Sequence, residues 1–176
     1  MSMLEVKDLS IHFGGVKAVQ NVTFSIDSGI VYSVIGPNGA GKTTLFNLIT
    51  GVYKPTTGEI KLDGESIGGK SPNELATRGV ARTFQNLQIC MNMSAVENVM
   101  VGAHLRLDRN LLKAALRFPA LKRRDRELRE EAAELMRFVG LEKYVETRAD
   151  AMSYGALKRL EIARALAMKP RLIFLD

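Results

Sequence analysis

The chain has 176 residues, of which 46% are hydrophobic and 25% charged, and it carries a net charge of +6 and a single cysteine. This length and composition are typical of one ordinary globular domain. The lone Cys90 excludes an internal disulfide and a cysteine-based metal site, and no apolar run is long enough to span a bilayer. The first residues lack a basic segment followed by an apolar stretch, so we expect no secretory signal and a cytoplasmic location.

The chain begins with apolar runs separated by short polar breaks. Residues 22–26 alternate apolar and polar side chains, which predicts a half-buried strand. Residues 30–35, Ile-Val-Tyr-Ser-Val-Ile, are rich in β-branched side chains and predict a buried strand. A glycine-rich loop follows, and then a helix over residues 43–50 that Gly51 closes. Further strands are predicted over residues 59–62 and 80–84.

From about residue 93 to residue 145, turn signals become rare and charges dominate. Residues 127–139 carry one apolar stripe at helical spacing, formed by Leu128, Ala132, Leu135, Met136 and Val139. We therefore predict a mostly helical insertion. The α/β pattern then returns, with a helix that Gly155 precedes and that extends to about Met168, and a buried strand over residues 171–175 that leads to Asp176.

The strongest motif is the loop between the predicted strand at residues 30–35 and the first helix. It fits the pattern G-x-x-x-x-G-K-[ST] at every fixed position and consists of Gly36, Pro37, Asn38, Gly39, Ala40, Gly41, Lys42, Thr43 and Thr44. Glycines let successive backbone N–H groups converge on one anion, and the helix N-terminus adds its positive dipole end. Lys42 can reach the β- and γ-phosphates of a nucleotide, Thr43 can coordinate Mg²⁺, and Thr44 can bond a phosphate oxygen.

A second motif is the apolar strand that ends at Asp176. A carboxylate at the end of a strand beside a phosphate loop can hold Mg²⁺ through water. Many strands end at aspartate for other reasons, so this interpretation depends on the phosphate loop.

Residues 152–166, Met-Ser-Tyr-Gly-Ala-Leu-Lys-Arg-Leu-Glu-Ile-Ala-Arg-Ala-Leu, resemble the signature of ABC ATPases, which is usually Leu-Ser-Gly-Gly-Gln followed by a basic helix. Ser153 and Gly155 match, whereas Tyr154, Ala156 and Leu157 depart from the usual residues. In that family, the serine, the glycine backbone and the helix N-terminus form an anion cradle for the γ-phosphate held by the opposite subunit. The resemblance implies that ATP is sandwiched at a dimer interface.

Two further positions are similar to ABC ATPases. Gln85 resembles the Q-loop glutamine that senses Mg²⁺ and the attacking water, and Phe13 resembles the aromatic residue that stacks on adenine, with Val19 beside the ring. The alternatives are a surface glutamine and a core phenylalanine. The resemblance implies catalytic roles for Gln85 and Lys42, and Mg²⁺ contacts for Thr43, Gln85 and Asp176.

Residues 13–19, 82–87 and 153–164 resemble the ATPase of bacterial branched-chain amino acid importers, and residues 105–126 resemble the longer of its two ATPase subunits. This implies a second ATPase subunit, two membrane permease subunits and, indirectly, a solute-binding protein as partners. It also implies a place on the inner face of the cell membrane and no nucleic-acid partner. The basic cluster at residues 122–124 faces either the membrane or permease, or is a solvated helix end.

The expected fold is an α/β P-loop NTPase core of the ABC type, with an N-terminal antiparallel β region and a helical subdomain. Residues 1–86 and 151–176 are assigned to the ATP-binding core, and residues 87–150 to the helical subdomain. In the family a general-base glutamate follows the position of Asp176 directly, and the switch histidine and further strands come later. We therefore expect an incomplete core without its C-terminal strands. The alternatives are a nucleotide-binding fragment without hydrolytic activity and a soluble ABC ATPase acting on DNA or ribosomes.

Overall fold

The computed structural model describes residues 2–106 and 118–176, and their side chains except those of residues 118–122. Two compact units form, Met1–Arg78 and Gly79–Asp176. The division into a core over residues 1–86 and 151–176 and a helical subdomain over residues 87–150 stays a prediction. Residues 107–117, which are half of the stretch 105–126 that resembles the longer ATPase subunit, lie outside the described residues, as does the side chain of Lys122.

The first unit contains a four-stranded antiparallel sheet. Its strands are β1 (Ser2–Phe13), β2 (Val16–Asp27), β3 (Thr57–Leu62) and β4 (Glu65–Ser66), in the order β2-β1-β3-β4. The central strand β1 pairs with both neighbours, so that Val6 lies opposite Phe24 on one side and Ile60 on the other. Residues 22–26 alternate between half-buried and exposed, and the predicted N-terminal antiparallel region is confirmed.

Residues 30–35 do not form the buried strand that their composition predicts. They belong to no β-ladder within the described part of the chain, and the side chains of Val31 and Ile35 are 97% and 91% exposed. β-Branched residues suit a strand, but a strand exists only where a neighbouring backbone satisfies its N–H and C=O groups. Tyr32 nevertheless stacks on Phe24 of β2, with ring centroids 5.7 Å apart.

Helix α1 (Lys42–Ile49) follows the glycine-rich loop and buries Leu45, Leu48 and Ile49. It ends as predicted, because Thr50 is its C-terminal cap and Gly51 adopts a φ of 77°. The short helix α2 (Pro72–Thr77) starts at a capping box made by Ser71 and Glu74.

In its described residues, the second unit combines a parallel pair of strands with three α-helices. Strands β5 (Val80–Arg82) and β6 (Leu172–Phe174) lie parallel, with Val80 opposite Leu172, and both are shorter than the sequence predicts. The helices are α3 (Ala95–Gly102), α4 (Phe118–Phe138) and α5 (Tyr154–Ala167). Their buried side chains, which include Val96, Val99, Met136, Leu160 and Ala163, form one core together with Leu141 of the segment after α4.

Helix α4 confirms the predicted amphipathic pattern. Ala132 and Met136 of the apolar stripe are buried, and Leu128, Leu135 and Val139 pack against the same core while partly exposed. At 21 residues α4 has the length of a membrane span, but its outer face is strongly charged. None of the helices in the described ranges is both long and apolar enough to cross a bilayer.

Candidate functional site

The predicted site residues fall into two groups, one in each unit. The first unit holds the loop at residues 36–44 together with Phe13 and Val19, and the second holds Gln85, Ser153, Gly155 and Asp176.

The loop at residues 36–44 has a backbone path that depends on glycine. Gly39 and Gly41 adopt φ values of 83° and 84°, in the left-handed region that other residues rarely enter. A Cβ on Gly41 would lie 2.7 Å from the carbonyl oxygen of Ala18 and 3.4 Å from a methyl of Val19. The loop therefore lies directly against β2 at Gly41, and only glycine fits this position.

Helix α1 begins without a side-chain cap. Gly41 is its N-cap residue, no side chain in the described part of the chain caps it, and its first turn contains no acidic residue. By contrast, α3 starts at a capping box made by Ser94 and Glu97. The amides that open α1 thus remain donors facing the loop, and such a helix N-terminus suits an anion.

Lys42 and the two threonines supply the polar side chains of the loop. The Lys42 ammonium donates hydrogen bonds of 2.7 and 2.8 Å to the carbonyl oxygens of Gly36 and Pro37, so it lies across the loop. Thr43 is exposed and Thr44 half-buried. Uncapped amides, an ammonium group and two hydroxyls form a donor set that fits the phosphates of a nucleotide.

An aromatic pair lies at the end of β1 in the same unit. Phe13 is 45% exposed, and its ring meets Tyr53 edge to face with centroids 5.2 Å apart. Val19 is 7% exposed and pairs with Ile11 across β1 and β2. Phe13 is therefore a partly open ring rather than a core phenylalanine, and Tyr53 beside it was not identified from the sequence.

In the second unit, Gln85 and Asp176 follow the ends of the paired strands β5 and β6. The Asp176 N–H donates to the Thr83 hydroxyl at 3.1 Å, and Arg82 donates to Asp176 Oδ2 at 2.8 Å. Gln85 is exposed, and its carbonyl oxygen accepts from Lys158 at 2.9 Å. The Arg82 and Lys158 contacts were not predicted, although both residues lie in the motifs themselves.

The signature region forms the start of α5. Ser153 is the N-cap, and its hydroxyl accepts from the Ala156 N–H at 3.4 Å. The helix thus begins at Tyr154, and Gly155, which was predicted to precede the helix, lies within its first turn. Ser153, Tyr154 and Gly155 are exposed, whereas Ala156 and Leu157 are buried in the helical core. This burial gives a physical reason for apolar residues at two positions that depart from the usual signature.

The candidate metal ligands are hard oxygen donors, which is the type that Mg²⁺ prefers. Thr43 offers an exposed hydroxyl, and Asp176 Oδ1 makes no hydrogen bond to any described residue. No cluster of three or more His, Cys, Asp or Glu side chains suited to a metal occurs within the described ranges.

Comparison with known proteins agrees with these features. The family model described as ABC transporter matches residues 19–176. The chain is 45% identical over 174 residues to the high-affinity branched-chain amino acid transport ATP-binding protein BraF of Pseudomonas aeruginosa, covering 99% of this chain and 68% of that protein. It is 38% identical to the corresponding protein LivG of Escherichia coli, with the same coverage.

Solved structures give the same result. A nucleotide-free ATP-binding cassette from an ABC transporter superimposes with a TM-score of 0.81 at 34% identity, over 100% of this chain and 69% of that one. An ATP-binding cassette in its ADP conformation gives a TM-score of 0.81 at 34% identity, over 98% of this chain and 67% of that one. With its glycine-dependent phosphate loop and its signature helix, the chain therefore belongs to the ABC transporter family of ATP-binding cassettes.

Proposed function

We propose that this chain is the ATP-binding subunit of an importer of branched-chain amino acids and that it couples ATP hydrolysis to transport. The observation that carries the proposal is the uncapped N-terminus of α1 behind the loop at residues 36–44, crossed by the Lys42 ammonium. The 45% identity to BraF supports the choice of solute class.

In the proposed reaction, the first unit binds the nucleotide. The amides at the start of α1 and the Lys42 ammonium hold the phosphates, so Lys42 exchanges its bonds to Gly36 and Pro37 for phosphate oxygens. Phe13 stacks on the adenine, Val19 packs against the same base, and Tyr53 makes an edge-to-face contact with Phe13.

The remaining candidate residues are proposed to act on the γ-phosphate and its metal. Thr43, Gln85 and Asp176 are the candidate contacts of Mg²⁺, which when bound would neutralise charge on the phosphate oxygens. Gln85 orients the attacking water, and the exposed Ser153 and Gly155 receive the γ-phosphate of a second ATPase subunit. Association of two subunits around ATP then completes both sites.

The proposed partners are a second ATPase subunit, two membrane permease subunits and, indirectly, a solute-binding protein. No nucleic-acid partner is part of the proposal. The chain would dock on the cytoplasmic face of the membrane through its permeases.

A calorimetric titration with ATP tests the proposal. Lys42→Ala removes charge-assisted hydrogen bonds of about 1.5–3 kcal/mol, so ATP should bind roughly 10- to 150-fold more weakly. Lys7→Ala is the matched control, because Lys7 is an exposed lysine on β1. Unchanged ATP affinity in Lys42→Ala would refute nucleotide binding at this loop. Recovery of the chain with ribosomes or DNA instead of permeases would refute the transport role.

A further inference from the structure

Charged side chains on one face of α5 surround the backbone that carries Gln85. Lys158, Glu161 and Arg164 are spaced three residues apart and therefore lie along one side of the helix. Residues 84–88 beside them form neither helix nor strand. The position of Gln85 therefore depends on contacts made from outside its own segment.

Glu161 holds this segment from its two ends. It is only 2% exposed, and its Oε1 accepts hydrogen bonds of 3.4 Å from the backbone N–H of Phe84 and from that of Gln88. Glu161 lies four residues after Leu157 and four before Ala165, both buried, so a carboxylate occupies an otherwise apolar stripe of the helix. Burying a carboxylate is unfavourable unless it is paired.

Lys158 supplies the compensating charge and holds the same segment by its carbonyl groups. Its ammonium lies 3.6 Å from Glu161 Oε2 and donates to the carbonyl oxygens of Phe84 and Gln85 at 3.0 and 2.9 Å. The same ammonium lies 5.9 Å from the ring centroid of Tyr154, within cation–π distance. Lys158 thus contacts the signature residue Tyr154 and the backbone of Gln85 at once.

We propose that Lys158 and Glu161 are positioning residues that fix Gln85 to the signature end of α5. Through Lys158, a change at Tyr154 would then alter the position of Gln85. This inference rests on the proposed function for the role of Gln85 in ATP hydrolysis. The contacts of Lys158 and Glu161 with residues 84–88 do not depend on that role, because the structure shows them directly. A tether made of charges and backbone hydrogen bonds has a defined geometry, whereas apolar packing would allow the segment to shift.

Hydrogen exchange at the Phe84 and Gln88 amides tests the tether directly. Glu161→Ala should raise exchange at both amides roughly ten-fold or more, because their shared acceptor is gone. Glu161→Gln keeps an acceptor oxygen but loses the charge, so a smaller increase is expected. Lys158→Met should also raise the exchange rate at these amides. Because Lys158 is only half-buried, this substitution should be tolerated by the fold, and the test remains valid even if Glu161→Ala fails to fold.

The control is Glu146→Gln, which removes an exposed ion pair with Arg129 in the same unit. Exchange at residues 84–88 should not change in this variant. Equal exchange in wild type, Glu161→Gln and Lys158→Met would overturn the tether.

Steady-state ATP hydrolysis by the chain assembled with its partner subunits tests the consequence for Gln85. Lys158→Met and Glu161→Gln should lower kcat about ten-fold while KM changes less than about two-fold, since the nucleotide-binding loop is untouched. Tyr154→Leu should lower kcat as well, whereas Tyr154→Phe keeps the ring face and should not. Faster exchange with unchanged kcat would overturn the positioning role.

The two proposals fail in different ways. Absence of ATP binding by the wild-type chain would overturn the proposed function and, with it, the catalytic consequence of the tether. Normal ATP binding and hydrolysis, with kcat insensitive to Lys158→Met and Glu161→Gln, would overturn the positioning role alone.

Discussion

Arg82 donates a hydrogen bond of 2.8 Å to Asp176, and the pair links the ends of the parallel strands β5 and β6. The side chains are 7% and 18% exposed, so water screens the pair only weakly. The Arg82 guanidinium also lies 5.1 Å from the ring centroid of Phe84, just before Gln85. The carboxylate proposed to contact Mg²⁺ is therefore held by the last residue of β5, three positions before Gln85.

Arg82→Met should destabilise the protein by about 2–3 kcal/mol, because it leaves a largely buried carboxylate without its partner. The free energy of unfolding in urea measures this loss. The control is Arg148→Met, which removes an exposed ion pair with Asp150 and should change stability by less than about 1 kcal/mol. Equal losses in the two variants would contradict a special role for the Arg82–Asp176 pair.

Gly41→Ala should be much more harmful than Gly39→Ala. The φ angles of the two residues differ by a single degree, so each substitution carries the same cost of about 1–2 kcal/mol for a left-handed backbone. Only at Gly41 would the new Cβ meet the Ala18 carbonyl oxygen, at 2.7 Å, whereas nothing lies within 4 Å at Gly39. We expect a further loss of about 1–3 kcal/mol for Gly41→Ala. Thermal unfolding of the two variants decides the point, and similar melting temperatures would disprove the close contact.

Phe13→Ala should weaken ATP binding without affecting inorganic tripolyphosphate. Stacking of a base on an aromatic ring contributes about 1–3 kcal/mol, so ATP affinity should fall roughly 5- to 150-fold. Tripolyphosphate has no base and should bind the loop at residues 36–44 as before. Phe138→Ala is the control, because Phe138 is 80% exposed in the other unit. An equal loss of affinity for ATP and for tripolyphosphate would show that Phe13 supports the fold and does not contact the adenine.

Tyr53 should support the Phe13 ring through its edge-to-face contact. Tyr53→Phe keeps the ring and should bind ATP normally, whereas Tyr53→Ala should lose a smaller part of the affinity than Phe13→Ala does, about 0.5–1.5 kcal/mol. The same calorimetric titration measures both variants. Normal binding by Tyr53→Ala would show that Phe13 needs no support from this side.

Glu131 should make stability depend on pH in the acid range. Hydrogen bonds from Arg106, and then from Lys169, lower the pKa of Glu131 from 4.5 to about 2. Since the folded pKa lies below the unfolded one, the stabilisation is fully present above about pH 4.5 and is lost as the pH falls toward 2. The Glu131 side chain is 40% exposed, so we expect an effect below about 1 kcal/mol.

The test compares wild type with Glu131→Gln. The difference in unfolding free energy should be largest at neutral pH and should shrink between pH 4.5 and about 2. In an Arg106→Met background the pH dependence of this difference should be mostly lost, since the main hydrogen-bond donor to Glu131 is gone. A difference that stays constant with pH in the wild-type background would contradict the pKa shift.

The sequence by itself was sufficient to predict those structural features that depend only on residues close together in the chain. The glycine-rich loop and the helix after it were predicted because the glycines at 39 and 41 and that helix form one continuous segment. The closing role of Gly51 and the apolar stripe of α4 followed for the same reason, since a positive φ and a helical period belong to short stretches of chain.

Tertiary structure decided the features that need a partner distant in the chain. Residues 30–35 have the composition of a strand but pair with no described backbone, because propensity does not supply the neighbour that a strand requires. Glu161 reaches Phe84 across 77 positions, and Arg82 reaches Asp176 across 94. The fold alone determined which amides and which ammonium group stabilise the Glu161 carboxylate, since only packing brings them within hydrogen-bond distance.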